Sequence, residues 1–189
     1  LAGPVVTAAV ILPERFERID ALAGLNDSKK LTAKKREALA LAIRAHCQVG
    51  LAIAEPCEID RLNILHASLA AMTRAVWALP LKPDHALIDG NKLPRGLPCP
   101  AEALVGGDGL ESAISAASII AKTVRDQIMV EADARFPGYG FAGHKGYPSP
   151  VHKAALDEFG PCPIHRLSYG PVRASQQKNG FARRFMNPA

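Results

Sequence analysis

The chain has 189 residues, 48% of them apolar, and carries 23 Lys and Arg against 18 Asp and Glu for a net charge of +5. That length supports a single domain with a real core, and no apolar run is long enough for a membrane span. The modest basic surplus is compatible with a polyanionic partner without requiring one.

Cysteines 47, 57, 99 and 162 are scattered and form no CxxC, which suits packing residues in a reduced, cytosolic setting. Cys162 and His165 share a C-x-x-H spacing, but no second half-site follows, so zinc is not expected. No targeting segment is expected. The sequence opens inside an apolar strand without an initiator Met, and the expectation is that further residues once preceded Leu1.

Residues 5–12 are rich in β-branched side chains and apolar enough for a strand buried on both faces. A polar connection leads to GLNDSKKL at residues 24–31, where Asn26, Asp27 and Ser28 form a turn and Lys29 stands beside Lys30. A lysine pair before a helix is often only solvated, but amides, a serine and two lysines together also suit a phosphate. Thr32 caps a helix running to about Cys47, with Leu39 and Ile43 on its packing face. Residues 49–54 form a second strand. Residues 58–79 read as one long helix with Ile59, Leu62, Leu65, Leu69, Met72 and Val76 at core spacing. Trp77 reads as core rather than as a base-stacking platform, and Pro80 and Pro83 end this helix.

The rest of the chain is organised around residues 84–109. Two short strands, 86–88 and 103–105, each lead to an aspartate beside glycine, Asp89 and Asp108. Ligands bind outside the carboxyl ends of strands in α/β sheets, and carboxylates delivered there suit hard divalent cations. Either aspartate alone is equally suited to capping a turn or a helix. Together they are expected within about 4–7 Å, the reach of a shared two-metal cluster. Residues 111–136 form the best helix candidate, with Ser115, Ser118, Lys122 and Asp126 on one face. Small hydroxyls in the first turns and a lysine one turn on make a seat for a phosphate.

Residues 137–150 form a glycine- and proline-rich loop carrying Tyr139, His144, Lys145 and Tyr147. An aromatic beside Lys145 can stack on a sugar or base while the lysine meets a phosphate; equally, the tyrosines can pin the loop to the body. Residues 150–159 read as a short helix, 160–172 as irregular, and 174–189 as a loose basic tail.

GLNDSKKL, EIDRLNILHAS, LIDGN, the GGD of residues 106–108, ISAASIIAK, GYGFAGHKGYP and HRLSYGPVR occur in this order. Together they resemble bacterial ribonuclease HII, the type 2 ribonuclease H, over residues 1–173, with 174–189 as a C-terminal tail. The resemblance implies a ribonuclease H-like α/β fold: a central mixed sheet flanked by helices, with a helical C-terminal part. It implies a monomer that cleaves RNA in RNA–DNA hybrids and single ribonucleotides embedded in duplex DNA, using Mg²⁺ or Mn²⁺. Two of the family's four metal-binding carboxylates match Asp89 and Asp108, which makes them the catalytic pair here. The other two belong to a motif like DEAGRG that precedes the segment matching LAGPVV, and its GRG part reads the 2′-OH together with a tyrosine matching Tyr147. Asn26, Ser28, Lys29, Asn91, Ser115, Ser118, Lys122, Lys145 and Tyr147 are the residues expected to contact nucleic acid. The alternative expectation is a catalytically impaired, hybrid-binding fragment of that enzyme.

Overall fold

The structure is a computed structural model that describes residues 1–25 and 31–182. The chain divides into two compact units: Val6–Ile53 with Ser68–Val124, and Leu1–Val5 with Ala54–Ala67 and Arg125–Ala189.

The first unit holds the strands. β1 (Val5–Ile11) pairs with β2 (Gln48–Ala54), and β3 (Ala86–Asp89) pairs with β4 (Ala101–Leu104). The second pair is parallel, with Ala86 opposite Ala101 and Asp89 opposite Leu104. Among the described residues the expected mixed sheet is therefore two hydrogen-bonded pairs. β1 is not buried on both faces as its composition suggests. Val6 and Thr7 are buried, and the rest of the strand is half-buried because one edge borders a cavity.

The core of this unit gathers Leu22, Leu25, Leu39, Ile43, Ile119 and Ile120. α1 (Ala33–His46) begins where expected, with the Thr32 hydroxyl accepting from the Lys35 N–H at 3.3 Å. Such a cap contributes about 1 kcal/mol. The other face of β2 meets α3 (Ile64–Trp77) at Gly50, where a Cβ would lie 2.1 Å from the Ala75 carbonyl oxygen. Only glycine allows that approach.

The single long helix expected over residues 58–79 is two helices, α2 (Pro56–Leu62) and α3. Asn63 breaks it at φ 65°, and its Oδ1 accepts from the N–H groups of Leu65 and His66 at 3.0 and 3.1 Å. Asparagine tolerates a positive φ and caps the following helix with its own side chain. Trp77 is also placed differently. It is 64% exposed, and its indole N–H donates to the Gly96 carbonyl at 2.8 Å. Its polar handle is satisfied at the rim of the unit rather than in the core.

In the second unit a core of Ala2, Met129, Phe136, Tyr139, Phe141 and Cys162 underlies α5 (Phe141–His144) and α6 (Pro150–Phe159), and Val172 of α7 (Gly170–Asn179) clusters with Leu1 and Leu156. Ser149 caps α6, with Pro150 in its first turn. The irregular segment before α7 is tied to α2: Asp60 accepts from the Leu167 and Ser168 N–H groups and from the Ser168 hydroxyl. Residues 174–179, read as the start of a loose tail, continue α7. Val172 and Ser175 are buried there, and the Ser175 hydroxyl donates to the Leu156 carbonyl at 2.6 Å. α4 (Ser112–Arg135) contributes its first half to one unit and its second half to the other. Among the described residues, no helix is long and apolar enough to cross a membrane.

Candidate active site

Asp89 is the last residue of β3 and is exposed. The strand ends there because Gly90 turns away at φ 112°, leaving Asn91 exposed in the following loop. β4 stops at Leu104, one residue earlier than the sequence suggests, and Val105 is 75% exposed. Asp108 consequently lies not at a strand end but in a short 3-10 turn, Gly107–Gly109. Gly106 enters this turn at φ 71°, a left-handed conformation open to glycine.

The turn is tied to Asp89 through its backbone. The N–H of Gly107, the residue just before Asp108, donates to Asp89 Oδ1 at 3.0 Å. A Cβ on Gly107 would sit 2.5 Å from Ile114 Cδ1, so a side chain there would have to displace the end of Ile114. Glu111 N–H then bonds back to the Gly107 carbonyl at 2.8 Å and leads into α4. One carboxylate oxygen is thus positioned by the backbone, and a carboxylate keeps further lone pairs for a cation. Oxygen donors of this kind fit a hard divalent ion. Among the described residues no group of three or more His, Cys, Asp or Glu that could hold a metal ion gathers.

The helix behind the aspartates departs from the expected face. Ser115 is buried, and its hydroxyl donates to the Leu25 carbonyl, so it fastens α4 to the core. Ser118 and Lys122 are half-buried one turn apart on the same helix. Asn26, Ser28 and Lys29 lie outside the described residues.

Lys145 and Tyr147 belong to the other unit. Lys145 has φ 51°, and its ammonium donates to the Ala142 carbonyl. Tyr147 is 58% exposed, with the Arg125 guanidinium 5.1 Å from its ring centre. The two tyrosines of this loop differ in burial. Tyr139 is fully buried and donates to the Gly160 carbonyl at 2.6 Å, which pins the loop, while Tyr147 presents its ring outward.

Beneath Tyr147 lies a histidine chain that the sequence reading passes over. His152 and His165 are 0% and 2% exposed. Cys162 N–H donates to His165 Nδ1 at 2.9 Å, His165 and His152 meet through their Nε2 atoms at 3.0 Å, and His152 Nδ1 reaches the Tyr147 carbonyl at 2.9 Å. These partners assign the tautomers: His165 Nε2–H donates to His152, and His152 Nδ1–H donates to Tyr147. His144 stacks on His152 at 4.4 Å and accepts from the Gly146 N–H. Burial lowers His152 from 6.5 to about 4, with His144 adding to the effect. Burial and then the neighbouring His152 lower His165 to about 3. Nothing in the spacing of these histidines requires the contacts, which only the folded loop shows.

The ribonuclease HII family model matches residues 1–172. The ribonuclease HII of Maricaulis maris is 62% identical over 176 residues, covering 93% of this chain and 78% of its own. That of Sinorhizobium fredii is 51% identical, covering 94% and 75%. Among solved structures, the ribonuclease H2 of Pyrococcus horikoshii superposes with a TM-score of 0.80 at 27% identity, over 94% of this chain and 92% of that one. A family match along nearly the whole chain, a relative this similar and a shared ribonuclease H-like fold lead to one conclusion: the chain belongs to the ribonuclease HII family of metal-dependent endoribonucleases.

Proposed function

We propose that this protein hydrolyses RNA within RNA–DNA hybrids, and cuts at single ribonucleotides in duplex DNA, by a two-metal-ion mechanism in which Asp89 and Asp108 are metal-binding catalytic residues. The observation that carries this reading is the bond from Gly107 N–H to Asp89 Oδ1, which sets Asp108 in the turn beside Asp89. Two Mg²⁺ or Mn²⁺ ions, when bound, would stabilise the attacking and leaving oxygens of an in-line displacement. Asp89 and Asp108 would hold them from one side. The resemblance assigns the remaining carboxylates to a DEAGRG-like segment ahead of LAGPVV.

Ser118, Lys122, Lys145 and Tyr147 are assigned to the nucleic acid, with Asn26, Ser28, Lys29 and Asn91. The lysines meet phosphates, and Tyr147 meets the sugar of the ribonucleotide. Ser115 acts indirectly, by anchoring α4. Replacing Lys122 with glutamine should weaken hybrid binding about equally for all sequences and flatten the dependence of log affinity on log salt by about one unit. Filter binding at several salt concentrations measures this, and an unchanged slope would remove Lys122 from the interface.

A second reading, a hybrid-binding protein impaired in cleavage, is favoured because no group of three or more His, Cys, Asp or Glu that could hold a metal ion gathers among the described residues. Cleavage of a duplex with one embedded ribonucleotide, in Mg²⁺ and then Mn²⁺, separates the readings. The 189-residue chain should cut little, and a version extended by a DEAGRG-bearing segment should cut readily. Equal rates would mean that the carboxylates present suffice.

A further inference from the structure

We infer that the stacked rings of His144 and His152 are positioning residues for Tyr147, holding its loop so that the exposed ring meets the sugar of the ribonucleotide. The role rests on the assignment of Tyr147 to that sugar and not on the metal pair.

Three features meet in this loop, all within one unit. The first is a strained backbone. α5 ends at His144, and Lys145 and Gly146 follow it at φ 51° and 80°, both left-handed. A lysine rarely adopts that conformation, which persists only where the surroundings fix it. Pro148 restrains Tyr147 from the other side, because the residue before a proline is biased to extended conformations.

The second feature is what fixes the loop. His144 Nδ1 accepts from the Gly146 N–H at 3.1 Å, and its Nε2–H donates to the Tyr139 carbonyl at 2.8 Å. His152 Nδ1–H donates to the Tyr147 carbonyl at 2.9 Å, which also accepts from the Ser149 N–H. The two rings lie 4.4 Å apart and within 7° of parallel. One ring thus bonds the residue before Tyr147 and the other bonds Tyr147 itself. His165 holds His152 from behind through the Nε2 contact at 3.0 Å.

The third feature is the ring that this support carries. The Arg125 guanidinium lies 5.1 Å from the centre of the Tyr147 ring, and its Nε–H donates to the Pro4 carbonyl at 3.2 Å. Burial requires that histidine nitrogens find partners. It does not require those partners to flank one exposed aromatic residue. A ring that must meet a single sugar does need such support, because a misplacement of about 1 Å can cost about a hundredfold.

The test is metal-free binding by the 189-residue protein, followed by fluorescence anisotropy with two duplexes alike except that one carries a single ribonucleotide. The readout is the ratio of the two Kd values. A variant that only lowers the folded fraction weakens both duplexes alike and leaves this ratio unmoved. Wild type should prefer the ribonucleotide duplex about tenfold, and Tyr147→Ala should lose most of that preference. His152→Gln carries its amide towards the Nε2 position and away from the Tyr147 carbonyl. It should lose at least about threefold of the preference, with all-deoxy affinity within about twofold. His144→Phe keeps a stacked ring without its hydrogen bonds and should lose as much. His152→Asn returns an N–H near the Nδ1 position and should restore the preference to within about twofold.

Thermal unfolding shows which variants fold, and should His152→Gln fail, His144→Phe decides. A folded His152→Gln or His144→Phe protein that keeps the wild-type ratio, while Tyr147→Ala loses it, would overturn the positioning role and leave Tyr147 at the sugar. Equal weakening of both duplexes, or an asparagine variant no better than glutamine, would overturn it too. A wild-type ratio near one, or a preference that survives Tyr147→Ala, would remove Tyr147 from the sugar and this role with it.

Discussion

Asp89→Asn is expected to reduce hybrid cleavage by more than about a hundredfold while leaving Tm nearly unchanged, measured in the extended protein described above. Even a partner behind a metal ligand is worth about 10–100-fold in metal affinity or activity, so a ligand itself should exceed that. The fold should tolerate the change because the structural task of Asp89 is to accept the Gly107 N–H at Oδ1, and asparagine keeps an oxygen there. What it loses is the negative charge, which a divalent cation needs and the hydrogen bond does not. Asp108→Asn should behave alike, since it leaves the backbone of the turn unchanged, in which the Gly109 and Leu110 N–H groups donate to the Gly106 and Gly107 carbonyls. Hybrid affinity measured without metal should stay within a few-fold of wild type. Single-turnover cleavage in Mg²⁺ and Mn²⁺ checks the expectation, and a loss smaller than tenfold in both metals would remove Asp89 from the metal site.

The strand that ends at Asp89 was readable in the sequence because its signals are local. An apolar run, an acidic residue and a glycine turn each follow from bonds between near neighbours. The same holds for α1 with Thr32 and α6 with Ser149, whose caps bond three residues ahead. Periodicity failed where one side chain overrode it. Apolar spacing runs straight through Asn63, but its side chain caps α3 and stops α2. It failed again where a polar atom found a distant partner. Ser115 shares a helix face with Ser118 and Lys122, yet its hydroxyl bonds to Leu25, ninety positions away in the chain. Trp77 was assigned to the core by its size, but the Gly96 carbonyl that holds its indole comes from another loop. The histidine chain was invisible for the same reason. His152 and His165 are thirteen residues apart, and nothing in their spacing requires their rings to touch.

That histidine chain sets the second large effect: the protein should lose stability on acidification from pH 7 to 5. Burial holds His152 at about 4 and His165 at about 3, both below the ordinary 6.5. At pH 5 both stay neutral in the fold, whereas in the unfolded chain both are mostly protonated. The unfolded state then binds more protons, so stability rises with pH across this window and falls as pH drops through 6.5. Each histidine costs about 2 kcal/mol at pH 5, from 1.36 kcal/mol per pH unit below its unfolded value. The hydrogen bonds explain why the fold resists protonation. His165 Nδ1 already accepts from Cys162 N–H, and His152 Nε2 already accepts from His165. A proton on either acceptor breaks a bond and places a charge in a buried aromatic cluster. For a chain of this size the two histidines together should lower Tm by roughly 8–16 °C. Thermal unfolding at half-unit pH steps measures the slope, and His165→Gln should reduce the histidine contribution by about half whatever its effect on Tm at pH 7. A variant that keeps the full wild-type slope would mean that another group carries the acid sensitivity.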